Sequence, residues 1–198
     1  MLSGVALLAF TAKVFIPLSQ SEILLDNARS AAQRGDFTSA EEMARQASKL
    51  DPANSDVHTL IGKLRESWSP RRGENISLAL KAYEDALELD CWNRNAMEGL
   101  WRIYNTGRPP KLEETLVITI RLLSAYPTSS RYNIMAGGLY ERMGRTIDAI
   151  IHYRMALYID DHVEQHGAQL SADEREKTTT ALWPVSYTHL TLPTKRIV

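Results

Sequence analysis

The stretch Ser77–Asp90 constrains this chain more than any other. Ala79, Tyr83 and Ala86 fall on one helical face with Leu80 and Leu87 beside them, and small residues around one aromatic let another helix approach closely. The pattern recurs upstream as Ala40, Ala44 and Ala47, and downstream as Ala149, Tyr153 and Ala156. A recurring helix of this kind is a repeat unit. It constrains architecture strongly and partner weakly.

The chain reads as consecutive helix pairs. Leu24, Leu25, Ala28 and Ala31 or Ala32 form a stripe that stops at Gly35-Asp36, and Thr38-x-x-Glu41 reads as a capping box opening the next helix. That helix buries Ala40, Met43, Ala44, Ala47 and Leu50 and stops at Asp51-Pro52. A second pair starts near Ser55, carrying Val57, Leu60, Ile61 and Leu64, then an insertion from Ser67 to Gly73, then the organising helix. The third pair holds Met97, Leu100, Trp101 and Tyr104, a turn at Gly107–Pro110, and Leu116, Ile120 and Leu123 up to Pro127. In the fourth, Met135, Leu139, Tyr140 and Met143 lead to Gly144, followed by Ile147 to Leu157. Equivalent positions Ala40, Ala79, Thr115 and Ala149 lie 39, 36 and 34 residues apart, a period that converges on about 34 residues.

At these positions the chain resembles the tetratricopeptide-repeat family. Gly62, Tyr104, Gly137 and Tyr140 match the family's first helix, and Gly35 and Gly144 its turn. Ala40, Ala79 and Ala149, Tyr83 and Tyr153, and Ala47, Ala86 and Ala156 match its second helix, with Pro52 and Pro127 closing repeats. The third repeat is degenerate, with Thr115, Thr119 and Leu122 where small and aromatic residues belong. The resemblance implies an all-α, right-handed superhelix of about four helix pairs over 21–163, with repeats near 21–54, 55–93, 94–129 and 130–163.

The flanks read differently. Residues 1–18 are apolar with Lys13 as the only charged side chain, which suits 1–20 as a membrane anchor or as the remnant of a transmembrane helix whose start lies upstream of Met1. The alternative is a first amphipathic helix capping the solenoid. Ser171-x-x-Glu174 is a second capping box, opening a polar helix through about Leu182, so 164–184 is expected to cap the solenoid or begin a further repeat. Reverse-translated, Val185–Thr194 resembles the transposase-end and adapter sequence of sequencing libraries. The segment 185–198 is therefore expected to be a non-native, non-helical tail.

The resemblance also implies a binding mode, since such repeats hold peptides along the concave face of their first helices. Arg29, Lys63 and Arg102 take equivalent places in three successive first helices, and Glu66, Asn105, Glu141 and Arg142 lie a turn further on. This stripe is expected to bind a protein or peptide partner through an acidic or carboxylate-ended segment. Leu25 and Glu98 depart from the lysine and asparagine pairs of the family's carboxylate-clamp subclass.

A net charge of −1 with interspersed signs gives no footprint for nucleic acid. Cys91, the only cysteine, excludes an internal disulfide framework; it stands where proline closes other repeats and reads as a buried, inert thiol. His162 and His166 are spaced to share a helical face but have no third ligand nearby, so no metal or cofactor is expected. His58 and His152 lack a positioned nucleophile. Glu84, Asp85 and Glu88 read as an outward charged face, and Trp68 as packing back on the second repeat. The expectation is a non-enzymatic, membrane-tethered scaffold or assembly factor, associated with a bacterial inner membrane. The alternative is the C-terminal repeat module of a truncated polytopic membrane protein, such as an envelope glycopolymer ligase or polymerase.

Overall fold

The computed structural model describes residues 16–67, 73–162 and 170–182 in full, and the helical backbone of 2–15, 72 and 183–190 besides. Among the described residues there are nine α-helices and no strand: α1 (Leu2–Gln33), α2 (Phe37–Leu50), α3 (Ser55–Ser67), α4 (Arg72–Leu89), α5 (Arg94–Thr106), α6 (Leu112–Ala125), α7 (Ser130–Arg142), α8 (Thr146–His162) and α9 (Ala172–Leu190). The helices form two compact units, Met1–Ile103 and Tyr104–Val198. The boundary falls inside α5, in the degenerate third repeat.

The alanine ridges do what their spacing predicts. Ala40, Ala44 and Ala47 on α2, Ala79 and Ala86 on α4, and Ala149 and Ala156 on α8 are all buried. In the first unit Leu25, Ala28 and Val57 close on Ala44 and Ala47. In the second, Leu116, Ala136, Tyr140, Ala149 and Tyr153 form one cluster, with Ala181 and Leu182 of α9 packed against it. A buried hydrogen bond from the Ser21 hydroxyl to the Ala47 carbonyl, 3.0 Å, ties α1 to α2.

Two turns repeat one geometry. Gly35 and Gly144 adopt φ of +83° and +72°, a left-handed conformation that costs glycine nothing. Asp36 N–H reaches the Ala31 carbonyl and Gly35 N–H that of Ala32; Arg145 and Gly144 do the same for Tyr140 and Glu141. Both are Schellman stops, which satisfy carbonyls the ending helix would leave open.

Several expectations need correction. Thr38-x-x-Glu41 is no capping box: α2 starts at Phe37, and Asp36 caps it by accepting from the Ser39 N–H at 3.1 Å. Those bonds from Ser39 hold the Asp36 carboxyl below the usual carboxylate range. Because Asp36 closes the turn and opens the helix at once, Thr38 is already helical, and Glu41 lies buried one turn on. On α6 the buried stripe is Thr115, Leu116, Ile118, Thr119 and Leu122, while Ile120 is exposed. The two threonines stay buried cheaply because each hydroxyl bonds back to a carbonyl four residues earlier, Thr115 to Lys111 and Thr119 to Thr115. Arg72 and Gly73 belong to α4 rather than to an insertion; Trp68 lies outside the described residues.

No break separates an anchor from the repeats, since α1 runs unbroken from Leu2 through Pro17 to Gln33. Among the described residues no helix is long and apolar enough to cross a membrane, and the side chains of 1–15, where the anchor was expected, lie outside them. The Ser171–Glu174 capping box is present in both directions, at 3.0 Å from the Ser171 N–H to the Glu174 carboxylate and 3.3 Å from the Glu174 N–H to the Ser171 hydroxyl. Helix α9 then runs to Leu190, into a tail expected to lack helix. The helix passes through Pro184, and Val185 to Leu190 beyond it hold no further proline or glycine to end it.

A candidate peptide-binding face and the tyrosines that fix it

Tyr83 is fully buried on α4. A Cβ built on Gly62 of α3 would come within 2.6 Å of its ring, and one on Gly99 of α5 would also collide with it. Only glycine lets both helices close on the ring. The Tyr83 hydroxyl donates to Glu66 at 3.0 Å, and Arg102 of α5 grips the same carboxylate through Nε and Nη2. Burial first, and the Glu66 charge second, push the Tyr83 phenol well above its ordinary value. The Glu66 hydrogen bond likewise raises Arg102. One side chain thus locks a second helix, its own first helix and the next first helix together.

The second compact unit repeats the device. Tyr153 of α8 lies against Gly137 of α7, where a Cβ would sit 2.6 Å from the ring. Its hydroxyl donates to Glu141 at 2.9 Å. Here too burial leads and Glu141 follows in raising the phenol. In both cases the glycine precedes the acceptor glutamate by four residues on the same helix face. Gly99 went unnoticed in the sequence. Its signal was a glycine inside a helix, where it costs about 1 kcal/mol relative to alanine and so marks a close approach.

The seven candidate face residues fall into two sets. In the first unit, Arg29 bonds Asp26 at 2.9 Å and lies 3.6 Å from Asp56 of the next first helix. Lys63 donates to Asn95 at 3.2 Å, and Arg102 grips Glu66. Each cation is therefore exposed yet bridged to a neighbouring first helix, so the stripe carries its own counter-groups. In the second unit Arg142 bonds Asn105, and Glu141 is held by Tyr153. Sequence spacing placed these residues on first helices and missed every cross-helix partner.

The remaining candidates resolve individually. Cys91 is exposed, not buried: it occupies the turn after α4, where closing a repeat needs no packed side chain. Asp85 is half-buried rather than fully outward, with its carboxylate 4.0 Å from His58. His162 stacks on Tyr158 at 4.3 Å, and His166 lies outside the described residues. Among the described residues no group of three or more His, Cys, Asp or Glu is placed to hold a metal. His152 stacks on Tyr140 at 5.3 Å, its Nδ1 3.1 Å from Asn133 Oδ1; burial lowers its pKa below the ordinary 6.5, against an opposing pull from Asp148. The folded state then binds this proton less readily than the unfolded chain does. The resulting stability is fully present above the unfolded value and is lost as pH falls through the folded one. Thermal melts from pH 7.5 downward should show a midpoint drop below pH 6.5 that is smaller in His152→Gln.

No family model matches the chain. Cellulose synthase operon protein C from Xanthomonas axonopodis pv. citri (strain 306) is 31% identical over 101 residues, 51% of this chain and 6% of that protein's length. Among solved structures, a tetratricopeptide repeat protein from Parabacteroides merdae matches with a TM-score of 0.67 at 21% identity, over 86% of this chain and 62% of that one. PilF from Pseudomonas aeruginosa gives 0.64 at 17%, over 85% and 70%, and MamA gives 0.60 at 18%, over 71% and 78%. With its paired helices, its glycine stops and its buried tyrosine-on-glycine contacts, the chain has the fold of tetratricopeptide-repeat proteins.

Proposed function

We propose that the chain is a protein-interaction scaffold that holds a peptide segment with acidic side chains against the exposed face of its first helices. The carrying observation is the bridged stripe in the first unit: Arg29, Lys63 and Arg102 stand exposed on α1, α3 and α5, each fixed by a partner on a neighbouring first helix. Fixed cations lose little side-chain entropy on binding. Lys63 shows one bonded partner for its three ammonium protons, leaving donors for a carboxylate. A peptide must compete with Asp56 and Glu66, so acidic residues spaced to replace them fit best.

The test is capture of partners by the full chain and by a variant carrying Arg29→Glu, Lys63→Glu and Arg102→Gln. Glutamine is chosen at 102 because glutamate would face Glu66. The variant should lose the partners, and raising salt should weaken capture by the native chain as screening shortens to about 8 Å at physiological ionic strength. Glu84→Lys with Glu88→Lys, on another face, should retain capture. Recovery of the same partners by the first variant rejects the reading.

Tethering to a membrane is part of the proposal, supported by the apolar run 5–18. Fractionated cells should show the full chain in a membrane pellet that resists high salt, with a version starting at Ser21 in the supernatant; salt extraction of the full chain would argue for a peripheral helix. A second reading, a repeat module within a much longer envelope-polymer protein, draws support from the partial match to a protein named for a cellulose synthase operon.

A further inference from the structure

The second helices share one register, so their outward positions can be compared between repeats. On α8 these positions hold Ile147, Ile151, Met155 and Tyr158, which are 63%, 54%, 46% and 59% exposed. Counted from the matching alanines, α2 has Thr38, Glu42, Gln46 and Lys49 there, and α4 has Ser77, Lys81, Asp85 and Glu88. On α6 only Val117 is apolar at these positions. The repeat fold therefore does not require apolar residues here, and α8 alone has a complete row.

Spacings of four, four and three make the row a single ridge on one side of the helix. Four half-exposed large side chains form a patch on the order of 400 Å², the size that on monomers often marks a working surface. The ring of His162 stacks on Tyr158 and limits its freedom. Arg154 is exposed beside the ridge, near its midpoint, with no ion pair shown among the described residues.

We infer that this ridge docks an amphipathic helix of a partner protein, one whose apolar residues recur at every third and fourth position and carry an acidic residue beside them to meet Arg154. The charge decides the occupant. Pairing the ridge with a second copy of itself about a two-fold axis would set two Arg154 guanidinium groups against each other near the centre. An anionic lipid surface would find Arg154 as the one cation beside the ridge with no ion pair shown among the described residues, because Arg145 is held by Asp148 and Arg175 by Asp160 and Asp161. Membrane-surface helices instead carry rows of basic residues on their flanks. This surface belongs to α8 of the second unit and shares no residue with the first-helix stripe.

A display library of single amphipathic helices, panned on the full chain, tests the inference. Selected peptides should carry an apolar ridge with an adjacent Asp or Glu, and bind Ile151→Glu with Met155→Glu at least about tenfold more weakly, while circular dichroism shows that variant folded. Arg154→Glu should weaken the acidic peptides several-fold, and replacing the peptide's acid by lysine should restore binding to that variant. Peptides that do not distinguish the ridge variant from the native chain overturn the inference, as do selected peptides indifferent to Arg154→Glu. A dimer in sedimentation that Ile151→Glu dissociates would assign the ridge to a second copy. Flotation with phosphatidylcholine–phosphatidylglycerol vesicles abolished by the same change would assign it to lipid.

Discussion

Tyr83→Ala should lower the stability of the first unit by about 3–5 kcal/mol, the range for truncating a large buried aromatic. The ring has no exposed surface and fills the space that Gly62 and Gly99 leave open. Its loss leaves a cavity bordered by two helix backbones, which relax less readily than side chains. Glu66 keeps Arg102 as a partner, so the penalty is chiefly one of packing. Tyr83→Phe isolates the hydroxyl and should cost only about 1 kcal/mol. Urea denaturation of the full chain, followed by helical circular dichroism, gives both values. A Tyr83→Ala cost under about 1.5 kcal/mol would mean the sandwich closes on itself when the ring is removed. Gly99→Val should also destabilise, because its branched side chain enters space the ring already occupies.

The helix pairs were legible because the information is local. An alanine ridge with one aromatic is visible at helical spacing, and a glycine after the last periodic residue marks the stop, so Gly35 and Gly144 were found as turns, while their left-handed conformation came from the structure. What failed depended on where the chain returns. Thr38-x-x-Glu41 satisfies a local capping rule, but Asp36 had already claimed the cap. Nothing within four residues reveals that Glu41 is buried against an arginine on the next helix. Ile120 and Leu122 both look like core residues on a degenerate helix, and the register against α7 decides between them. Cys91 was assigned by analogy with a proline, although a turn position selects on backbone geometry and leaves the side chain in water.

The face residues show the same division. Spacing put Arg29, Lys63 and Arg102 on first helices correctly, yet their bonds to Asp56, Asn95 and Glu66 run 27, 32 and 36 residues along the chain. Such pairings follow from the angle between consecutive repeats, which periodicity does not encode. A stripe that looks purely basic in sequence is therefore a ladder of alternating donors and acceptors.

Glu41 supplies the second large effect. Its carboxylate is almost fully buried, bonded by Arg65 and by Arg45 Nε at 2.9 Å, with Arg65 in turn donating to Asn75 at 3.2 Å. Arg45 is exposed and can turn to water; Arg65 is mostly buried and has no such exit. Glu41→Ala therefore takes a buried carboxylate from Arg65, which keeps its bond to Asn75, and should cost up to about 3–5 kcal/mol, the range for breaking a buried pair. Removing the pair together behaves differently, since neither charge then needs solvation. Glu41→Leu combined with Arg65→Met should be less destabilising than Glu41→Ala alone, and close to neutral if the apolar side chains fill the gap. The native chain, Glu41→Leu, Arg65→Met and the double variant form a double-mutant cycle which, measured by urea denaturation, separates the cost of removing one partner from the net worth of the pair. A Glu41→Ala cost below about 1 kcal/mol would show that water reaches Arg65 and screens it as at a surface. A double variant as unstable as the single one would show that the pair itself, through Asn75, holds the start of α4 in register.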